Sequence, residues 1–504
     1  SNILNELNLE SYDNAIRNIH FPKDNKGFIR AKRRLVFDEI FYFQLSMKKI
    51  KRNNEDAIKF EIKDETFDFI KSLSFKLTNS QNKVLDDIFR DMTSDKQMNR
   101  LVQGDVGCGK TIISFVAMFN VIKNGFQSVL MAPTEILARQ HFENAKKLFS
   151  DYNIKVELLV GSLKESEKKA IREKIENGQV DIIIGTHAVF QEKVVYKNLG
   201  FVITDEQHRF GVKQRLLLSK KSNNPDILVM SATPIPRTVG LVMFCDLDIS
   251  TIDELPSGRG KVNTYFVDEN YEDRYMNFIK KHILEGRQAY IVCPLVDESD
   301  TLELQSVINL YERLKERYFQ DVAIEFIHGK IKPDDKDRIM KNFENGKIKV
   351  LVATTVIEVG INVPNSNIMV IYNAERFGLS QLHQLRGRIG RGNYESFCIL
   401  VSNNKSTNVK KRMDIMCSSN DGFYISEQDF LLRGYGDILG YRQSGEARFK
   451  ILNIQKDYEL LKSAIKYVDK ILMDDFNFEK EENQVLKRNV DEFIQNLSEN
   501  IIMN

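Results

Sequence analysis

Residues 104–111 are Gly104-Asp105-Val106-Gly107-Cys108-Gly109-Lys110-Thr111, a stretch that fits the phosphate-binding pattern G-x-x-x-x-G-K-[ST]. Its glycines let backbone N–H groups curl around phosphate oxygens, and the positive end of the following helix points at them. Lys110 supplies a mobile charge for the β- and γ-phosphates, and Thr111 supplies a hydroxyl for Mg²⁺. The pattern alone is only moderately specific, so its surroundings decide what it means.

The surroundings are those that a phosphate loop requires. The loop follows a short apolar run, 101–103, which predicts a strand. It precedes a stretch, Thr111–Lys123, that is apolar nearly all round and therefore predicts a buried helix ending near Gly125. Strand, glycine loop and buried helix together favour a nucleotide site.

Short β-rich runs alternate with predicted helices on both sides of a linker at 255–260. This alternation predicts two similar α/β domains with parallel, doubly wound sheets, whose ligands bind beyond the carboxyl ends of the strands. Only the first contains a phosphate loop. The predicted strands are Ser128–Met131, Val156–Val160, Val180–Ile184, Phe201–Ile203 and Ile227–Met230, then Ala289–Val292, Ala323–Phe326, Val350–Val352, Ile368–Ile371 and Phe397–Val401.

The 504 residues suggest about three domains. We expect a helical N-terminal segment at 1–75, a first α/β domain at 76–255, a second at 256–405, and a mostly helical region at 406–504. No apolar run approaches the ~20 residues needed to span a bilayer. The five scattered cysteines favour reduced thiols in a cytoplasm and disfavour zinc or disulfides.

A net charge of +2 neither indicates nor excludes a nucleic-acid partner, so such a partner would need local basic patches. Basic clusters at 30–34 and 48–52 flank a predicted helix, Ala31–Lys49. They are either a solvated helix face or a surface close to DNA, and the pattern leaves both open.

Two carboxylates, Asp205 and Glu206, end the apolar run 201–203. Such a strand end is costly unless a cation lies there, which favours Mg²⁺-ATP over an exposed acidic end. Asp205 would hold the metal's ligand shell, and Glu206 would polarise the attacking water. Upstream, Thr78 and Gln81 fit a helix capping box, and the Gln81 amide is also suited to bind adenine.

A basic stretch in the second domain spans Gln384–Arg391. In isolation it is typical of a solvated helix start. Arginines that face an ATP bound on another domain, however, are an arginine-finger arrangement, which we expect of Arg388 and Arg391. Hydrolysis would then depend on closure of the two domains.

Taken in order, these motifs resemble those of superfamily-two helicases: Gln81, 104–111, Ala132-Pro133-Thr134-Glu135, Asp205-Glu206-Gln207-His208, Ser231-Ala232-Thr233 and Gln384–Arg391. The stretches 205–212, 382–388 and 432–445 resemble the RecG family of branched-DNA translocases more specifically. The transcription-repair coupling factor shares much of this pattern but usually has Glu where Gln207 stands.

The resemblance implies two tandem RecA-like domains that use ATP and Mg²⁺. It implies that Gln81 and 104–111 bind ATP, that Thr111 and Asp205 bind the metal, and that Lys110, Glu206, Gln384, Arg388 and Arg391 are catalytic. It assigns nucleotide–DNA coupling to His208, Ser231 and Thr233, and translocation to Arg433 and Gln443. Contacts with the DNA backbone fall on Pro133, Thr134, Arg139, Thr186, Thr354 and Thr355.

We therefore expect an ATP-dependent translocase that acts on branched double-stranded DNA, at stalled forks and Holliday junctions, in repair and recombination. Alternatives are a transcription-repair coupling motor, an RNA helicase and a non-catalytic ATP-binding scaffold. A monomer and a single-stranded-DNA-binding protein as partner are further expectations; a membrane partner is not expected.

Two departures from the family pattern matter. Cys108 stands where Ser is common, and a thiol at a helix N-terminus is a candidate for high reactivity. The predicted helices of 1–75 are too short for the family's N-terminal wedge domain, so the chain resembles the motor part of a longer protein.

Overall fold

The computed structural model of the chain describes residues 2–52, 57–205, 224–231, 234, 247–256, 260–294, 300–329, 331–354, 363–390, 392, 394–433, 451–453 and 456–502. The strands are β1 Asn99–Gly104, β2 Gln127–Met131, β3 Val156–Leu159, β4 Ile182–Gly185, β5 Leu199–Asp205, β6 Asp226–Ser231, β7 Asp248–Ile252, β8 Val262–Val267, β9 Gln288–Val292, β10 Ile324–Ile327, β11 Val350–Ala353, β12 Ser366–Ile371 and β13 Ser396–Val401.

The α-helices of these residues occur before, between and after the strands. They are α1 Asn2–Glu6, α2 Tyr12–His20, α3 Asn25–Arg52, α4 Asp64–Ser72, α5 Asn79–Met92, α6 Lys110–Lys123, α7 Glu135–Leu148, α8 Glu165–Glu176, α9 Glu272–Leu284, α10 Asp300–Arg317, α11 Pro333–Glu344, α12 Leu379–Arg386, α13 Thr407–Ser418, α14 Gly422–Arg433, α15 Tyr458–Asp474 and α16 Gln484–Ile502.

Two separate parallel sheets form the framework. The first has the order β3-β4-β2-β5-β6-β1-β7, and the second has the order β10-β11-β9-β12-β13-β8. Every pairing in both sheets is parallel. The predicted α/β class with two doubly wound sheets is therefore confirmed.

Sequence patterns missed two strands, β7 and β8, and both lie at the edge of a sheet. An edge strand is paired on one side only and is partly exposed, so polar residues interrupt its apolar run. In β7, Asp248 is exposed and only Ser250 and Ile252 are buried; in β8, Val262 alone is buried. Neither strand shows the continuous apolar signal of a strand covered on both faces.

Helix α6 is the central helix of the first domain. Nine consecutive residues, Ile113–Val121, are buried, as the apolar sequence predicted. Phe119 stacks on Phe69 of α4 at 4.5 Å between ring centroids. The Asn120 amide oxygen accepts hydrogen bonds from Lys63 N and Thr66 Oγ1, both at 3.0 Å. The buried polar side chain thus attaches α4 to the helix after the phosphate loop.

The N-terminal and C-terminal helices pack on one another. Helix α3 contacts α15 and α16 around one hydrophobic cluster that also includes residues of β1 and β6. Lys48 pairs with Asp469, and Lys49 pairs with Asp491 at 3.2 Å. These two lysines of the second basic cluster therefore serve contacts between helices. None of the helices in the described part of the chain is long and apolar enough to cross a membrane.

Candidate functional site

Strand register brings the predicted site residues of the first domain to one edge of its sheet. Gln103 of β1 pairs with Ser231 of β6, and Met230 of β6 pairs with Asp205 of β5. The phosphate loop follows β1 directly. The loop, Ser231 and Asp205 therefore occupy the carboxyl ends of three neighbouring strands, where parallel sheets bind ligands.

Two glycines give the phosphate loop its shape. Gly107 has φ +78° and Gly109 has φ +88°, the left-handed region that favours glycine. A Cβ at Gly109 would lie 2.3 Å from Gln81 Nε2, so a larger residue would also collide with a buried side chain. Helix α6 begins at Lys110, directly after these glycines, and its first N–H groups face the loop.

The Lys110 ammonium lies inside the loop. It donates to the backbone carbonyls of Gly104 at 2.7 Å and Asp105 at 2.9 Å. A third contact reaches Cys108 Sγ at 3.6 Å. These neutral acceptors hold the charge at the place where the pattern requires a phosphate-binding cation.

Gln81 braces the phosphate loop from α5. The predicted capping box is confirmed: Gln81 Oε1 accepts from Thr78 N at 2.8 Å, and Thr78 Oγ1 accepts from Gln81 N. The other end of the amide, Nε2, donates to Cys108 O at 2.8 Å. Gln81 is 2% exposed. The predicted contact with adenine would therefore need both ends of the amide to exchange partners.

Cys108 is fully buried, and its sulfur fills the loop beside Gly104, whose Cβ position lies 2.5 Å from Sγ. A thiol enclosed in this way is inaccessible to alkylating reagents. Its burial therefore argues against the reactivity that the helix N-terminus suggested.

Asp205 is held by a residue that sequence reasoning missed. His141 Nε2 lies 3.0 Å from Asp205 Oδ2, and both side chains are largely buried. A carboxylate oxygen can only accept, so the His141 ring donates to Asp205 through Nε2. The only sequence signal was a histidine within α7, the helix that comes after Pro133-Thr134. Glu206, the other predicted carboxylate, lies outside the described residues.

The side chains at this edge fit a magnesium ion that enters with ATP. A hydroxyl from Thr111 and a carboxylate from Asp205 offer the oxygen ligands that Mg²⁺ prefers. Within the described ranges, no group of three or more His, Cys, Asp or Glu side chains could hold a metal ion alone. Mg²⁺ is commonly held by one or two carboxylates together with phosphates and water.

The second domain contacts the phosphate loop through α12 and the residues after it. A Cβ on Gly387 would lie 2.8 Å from Val106 Cβ, so its backbone packs directly on the loop. His383 Nε2 lies 2.5 Å from Asp105 Oδ1. The predicted catalytic residues Gln384 and Arg388 belong to this segment, and both are half-buried. Arg391 lies outside the described residues.

The predicted DNA-contacting residues of the first domain follow β2 and β4 and already have structural roles. Thr134 caps α7, where its Oγ1 accepts from Leu137 N at 3.4 Å. Arg139 pairs with Glu135 at 2.7 Å. Burial acts to raise the pKa of Glu135, but hydrogen bonds from Ser162 and Arg139 outweigh it and lower the pKa. The negative charge of Glu135 thus persists beside Arg139.

The remaining predicted residues lie next to strands or helices, or outside the described part of the chain. Thr186 follows β4 and begins a short 3-10 helix. Thr354 follows β11 and is fully buried. Arg433 is the last residue of α14. Outside the described residues lie the side chain of Arg433 and all of His208, Thr233, Thr355 and Gln443.

Comparison with protein families defines the class. A DEAD/DEAH box helicase model matches residues 78–242, and a helicase conserved C-terminal domain model matches 273–393. These two matches fall on the two sheets and define a two-domain ATP-dependent helicase. A third model, described as ATP-dependent DNA helicase RecG, domain 3, C-terminal, matches 419–500.

Individual relatives agree with the third match. The chain is 45% identical over 95% of its length to ATP-dependent DNA helicase RecG of Bacillus subtilis (strain 168), and it covers 71% of that protein. It is 45% identical over 92% of its length to the RecG of Streptococcus pneumoniae serotype 4, of which it covers 69%. The chain therefore belongs to the RecG family of ATP-dependent DNA helicases.

Solved structures show the same relationship. A structure of RecG bound to a three-way DNA junction matches with a TM-score of 0.74 and 42% identity, covering 92% of this chain and 61% of that one. The yeast protein Dbp5 bound to RNA and ADP BeF3 matches with a TM-score of 0.53 and 19% identity, which shows a shared fold alone.

Proposed function

We propose that the chain is the ATP-driven motor of a translocase that acts on branched double-stranded DNA. The observation that carries this proposal is the contact between the phosphate loop of the first domain and the segment 383–388 of the second. Because a site shared by two domains responds to their closure, ATP turnover can be converted into relative movement of the domains.

Branched DNA is the substrate class that we infer for this motor. The RecG structure of 42% identity was solved on a three-way junction, and that relative covers most of this chain. We extend the proposal to stalled forks and Holliday junctions in repair and recombination. A single-stranded-DNA-binding protein as partner and a monomeric state stay predictions.

ATP and Mg²⁺ are the cofactors of the proposed reaction. Lys110 would neutralise the β- and γ-phosphates, and Thr111 and Asp205 would hold Mg²⁺. His141 would keep the Asp205 carboxylate oriented, as groups behind metal ligands commonly do. Glu206 is assigned to the attacking water, and Arg388 and Arg391 to the charge on the transferred phosphoryl group; Gln384 belongs with them.

The loops after β2, β4 and β11 form the proposed track for the DNA backbone, with Pro133, Thr134, Arg139, Thr186, Thr354 and Thr355. Phosphate contacts carry no sequence information, so binding is expected to be non-specific and to weaken as salt rises. Ser231, His208 and Thr233 would pass the nucleotide state to these loops, and Arg433 and Gln443 would use it to move the duplex.

The deciding experiment compares stimulation of ATP hydrolysis by a three-way junction, linear duplex, single-stranded DNA and RNA of equal length at one salt concentration. We expect the junction to stimulate most and RNA not at all. Equal stimulation by junction and linear duplex would contradict the branched-DNA proposal. Stimulation by RNA above that by DNA would contradict the choice of nucleic acid.

A further inference from the structure

Three groups connect the phosphate loop to the second domain, and we call Asp105, His383 and Gly422 the interdomain latch. Asp105 Oδ1 lies 2.5 Å from His383 Nε2, across 278 residues of sequence. Asp105 Oδ2 accepts from Gly422 N, the first residue of α14, at 3.2 Å. One oxygen of this carboxylate therefore contacts α12, and the other contacts the start of α14, which packs against α12. Oδ1 also accepts from Val106 N, within the loop, at 2.6 Å.

The direction of the first hydrogen bond is set by a neighbouring arginine. Arg386 Nη2 lies 3.0 Å from His383 Nδ1. A guanidinium can only donate, so Nδ1 accepts and Nε2 carries the proton. His383 therefore donates to Asp105, and the latch consists of two N–H donors on one carboxylate, the stronger kind of hydrogen bond.

Neighbouring groups hold both donors, His383 Nε2 and Gly422 N, in place. Arg386 is 2% exposed and also donates to the carbonyls of Met416 at 2.7 Å and Ser419 at 2.8 Å, between the end of α13 and the start of α14. Gly422 leaves no room for a side chain: its Cβ would lie 2.6 Å from His383 Nε2 and 2.9 Å from Asp105 Cγ. The start of α14 therefore packs directly against both His383 and Asp105.

The same residue is tied to the nucleotide-binding lysine. The backbone carbonyl of Asp105 accepts from Lys110 Nζ at 2.9 Å, while its side chain holds the latch. The phosphate-binding pattern places no demand on the residue at this position, so an aspartate is not needed for binding phosphate. When phosphates attract the Lys110 ammonium, the Asp105 carbonyl loses this charged donor and keeps the hydrogen bond from Cys108 N at 3.2 Å.

We propose that the interdomain latch is the link through which occupancy of the phosphate loop is transmitted to α14, the helix that ends at Arg433. Asp105 and His383 are positioning residues in this link. The inference deepens the proposed function, because it names the route from ATP to the helix that precedes the predicted translocation residues.

The test is hydrogen exchange of the full chain, followed by mass spectrometry on the peptide 420–427, with and without Mg²⁺ and a non-hydrolysable ATP analogue. In the wild type, the analogue should change exchange at the start of α14 by about fivefold or more, the lower end for coupled sites. His383→Ala should abolish this response, and so should Asp105→Ala. His383→Gln, which retains an N–H donor, should preserve it.

A matched control lies on the same helix. Asp429 of α14 accepts from Ser380 Oγ at 3.1 Å, a carboxylate contact that stays within the second domain. Asp429→Ala should keep the nucleotide response. Loss of the response in Asp429→Ala as well, or its persistence in His383→Ala with the analogue bound, would overturn the latch. Binding of a fluorescent ATP analogue confirms occupancy in each variant.

This readout requires no DNA, so it separates the latch from the proposed function. Failure of branched DNA to stimulate wild-type hydrolysis would refute the DNA proposal and leave the exchange result standing. With DNA present, His383→Ala should lower the base pairs displaced per ATP about tenfold, while His383→Gln should remain close to wild type. Equal coupling in His383→Ala and the wild type would also overturn the latch.

Discussion

The two sheets share an architecture and differ in the residues at the carboxyl ends of their strands. In the first domain, β1, β5 and β6 end at a phosphate loop, Asp205 and Ser231. In the second, Thr354 follows β11 and Tyr372 follows β12, and the segment that contacts the loop comes from α12. One domain therefore holds the groups proposed to bind nucleotide, and the other supplies groups that contact the phosphate loop.

From this difference we expect that neither sheet suffices alone for ATP hydrolysis. Parallel sheets present the ends of all their strands at one edge, so a few loop residues decide the chemistry without altering the core. If Lys110 and Arg388 act in one site, as we propose, a change on either side should affect hydrolysis. Substitutions in each domain test that division, and the largest effect is expected at the phosphate loop.

Lys110→Ala removes the cation of the first domain's loop. Hydrolysis stimulated by branched DNA should fall by more than ~10³-fold, because the charge on the β- and γ-phosphates loses its partner. Steady-state ATPase measurements give the rate. Lys123→Ala, at the opposite end of α6, is the matched control and should hydrolyse ATP at the wild-type rate. Retained turnover in Lys110→Ala would refute the assignment of the loop.

Arg388→Ala tests the contribution of the second domain. We expect hydrolysis to fall about 10³-fold, the lower end of the range for arginine fingers. Arg388→Lys should not restore it, because an ammonium lacks the planar fork of a guanidinium. Arg376→Ala, an exposed arginine of the same domain, is the control. A loss below tenfold in single-turnover hydrolysis would mean that the second domain does not complete the site.

His141→Leu tests whether the first domain orients its own metal ligand. The Mg²⁺ concentration for half-maximal hydrolysis should rise about tenfold, and His141→Gln should stay close to wild type because it keeps a donor. Mn²⁺ binding with an ATP analogue, followed by electron paramagnetic resonance, gives an independent readout. His282→Leu removes a histidine that pairs with Glu285 at 3.4 Å in the second domain and should leave metal binding unchanged.

The smallest effects contrast two threonines that follow strands of the two sheets, Thr134 after β2 and Thr354 after β11. Thr134→Ala should lower the free energy of unfolding by about 1 kcal/mol, because it removes the cap of α7. Thr354 is buried, and its hydroxyl has no partner within the described ranges, so Thr354→Val should cost nothing. Urea denaturation measures both. A loss in Thr354→Val as large as in Thr134→Ala would contradict this contrast.

Local patterns predicted much of the fold. The capping box at Thr78 and Gln81, the buried helix α6 and the internal strands of both sheets all depend on residues a few positions apart, and the structure confirms them. The edge strands β7 and β8 were missed because polar residues interrupt their apolar runs, whereas the edge strands β3 and β10 keep three apolar residues in four and were predicted. Local hydrophobic patterns reflect burial, so a half-exposed strand gives only a weak sequence signal.

In the functional site, the features that local sequence predicts are separated even more clearly from those that only the fold reveals. The amino-acid sequence by itself determined the phosphate loop, the carboxylate at the end of β5, the basic stretch of the second domain and, through their order, the family. Each of these is a contiguous motif, and its chemistry can be inferred from neighbouring residues.

Only the tertiary structure decided which side chains meet. It placed His141 on Asp205, turned the Gln81 amide onto the phosphate loop, and joined Asp105 to His383 and Gly422, 278 and 317 residues away. No periodicity encodes such pairs, because they depend on how helices pack over two sheets and how those sheets face each other. The residue proposed to bind phosphate could therefore be identified from the sequence, while the residues proposed to respond to its occupancy could be identified only from the fold.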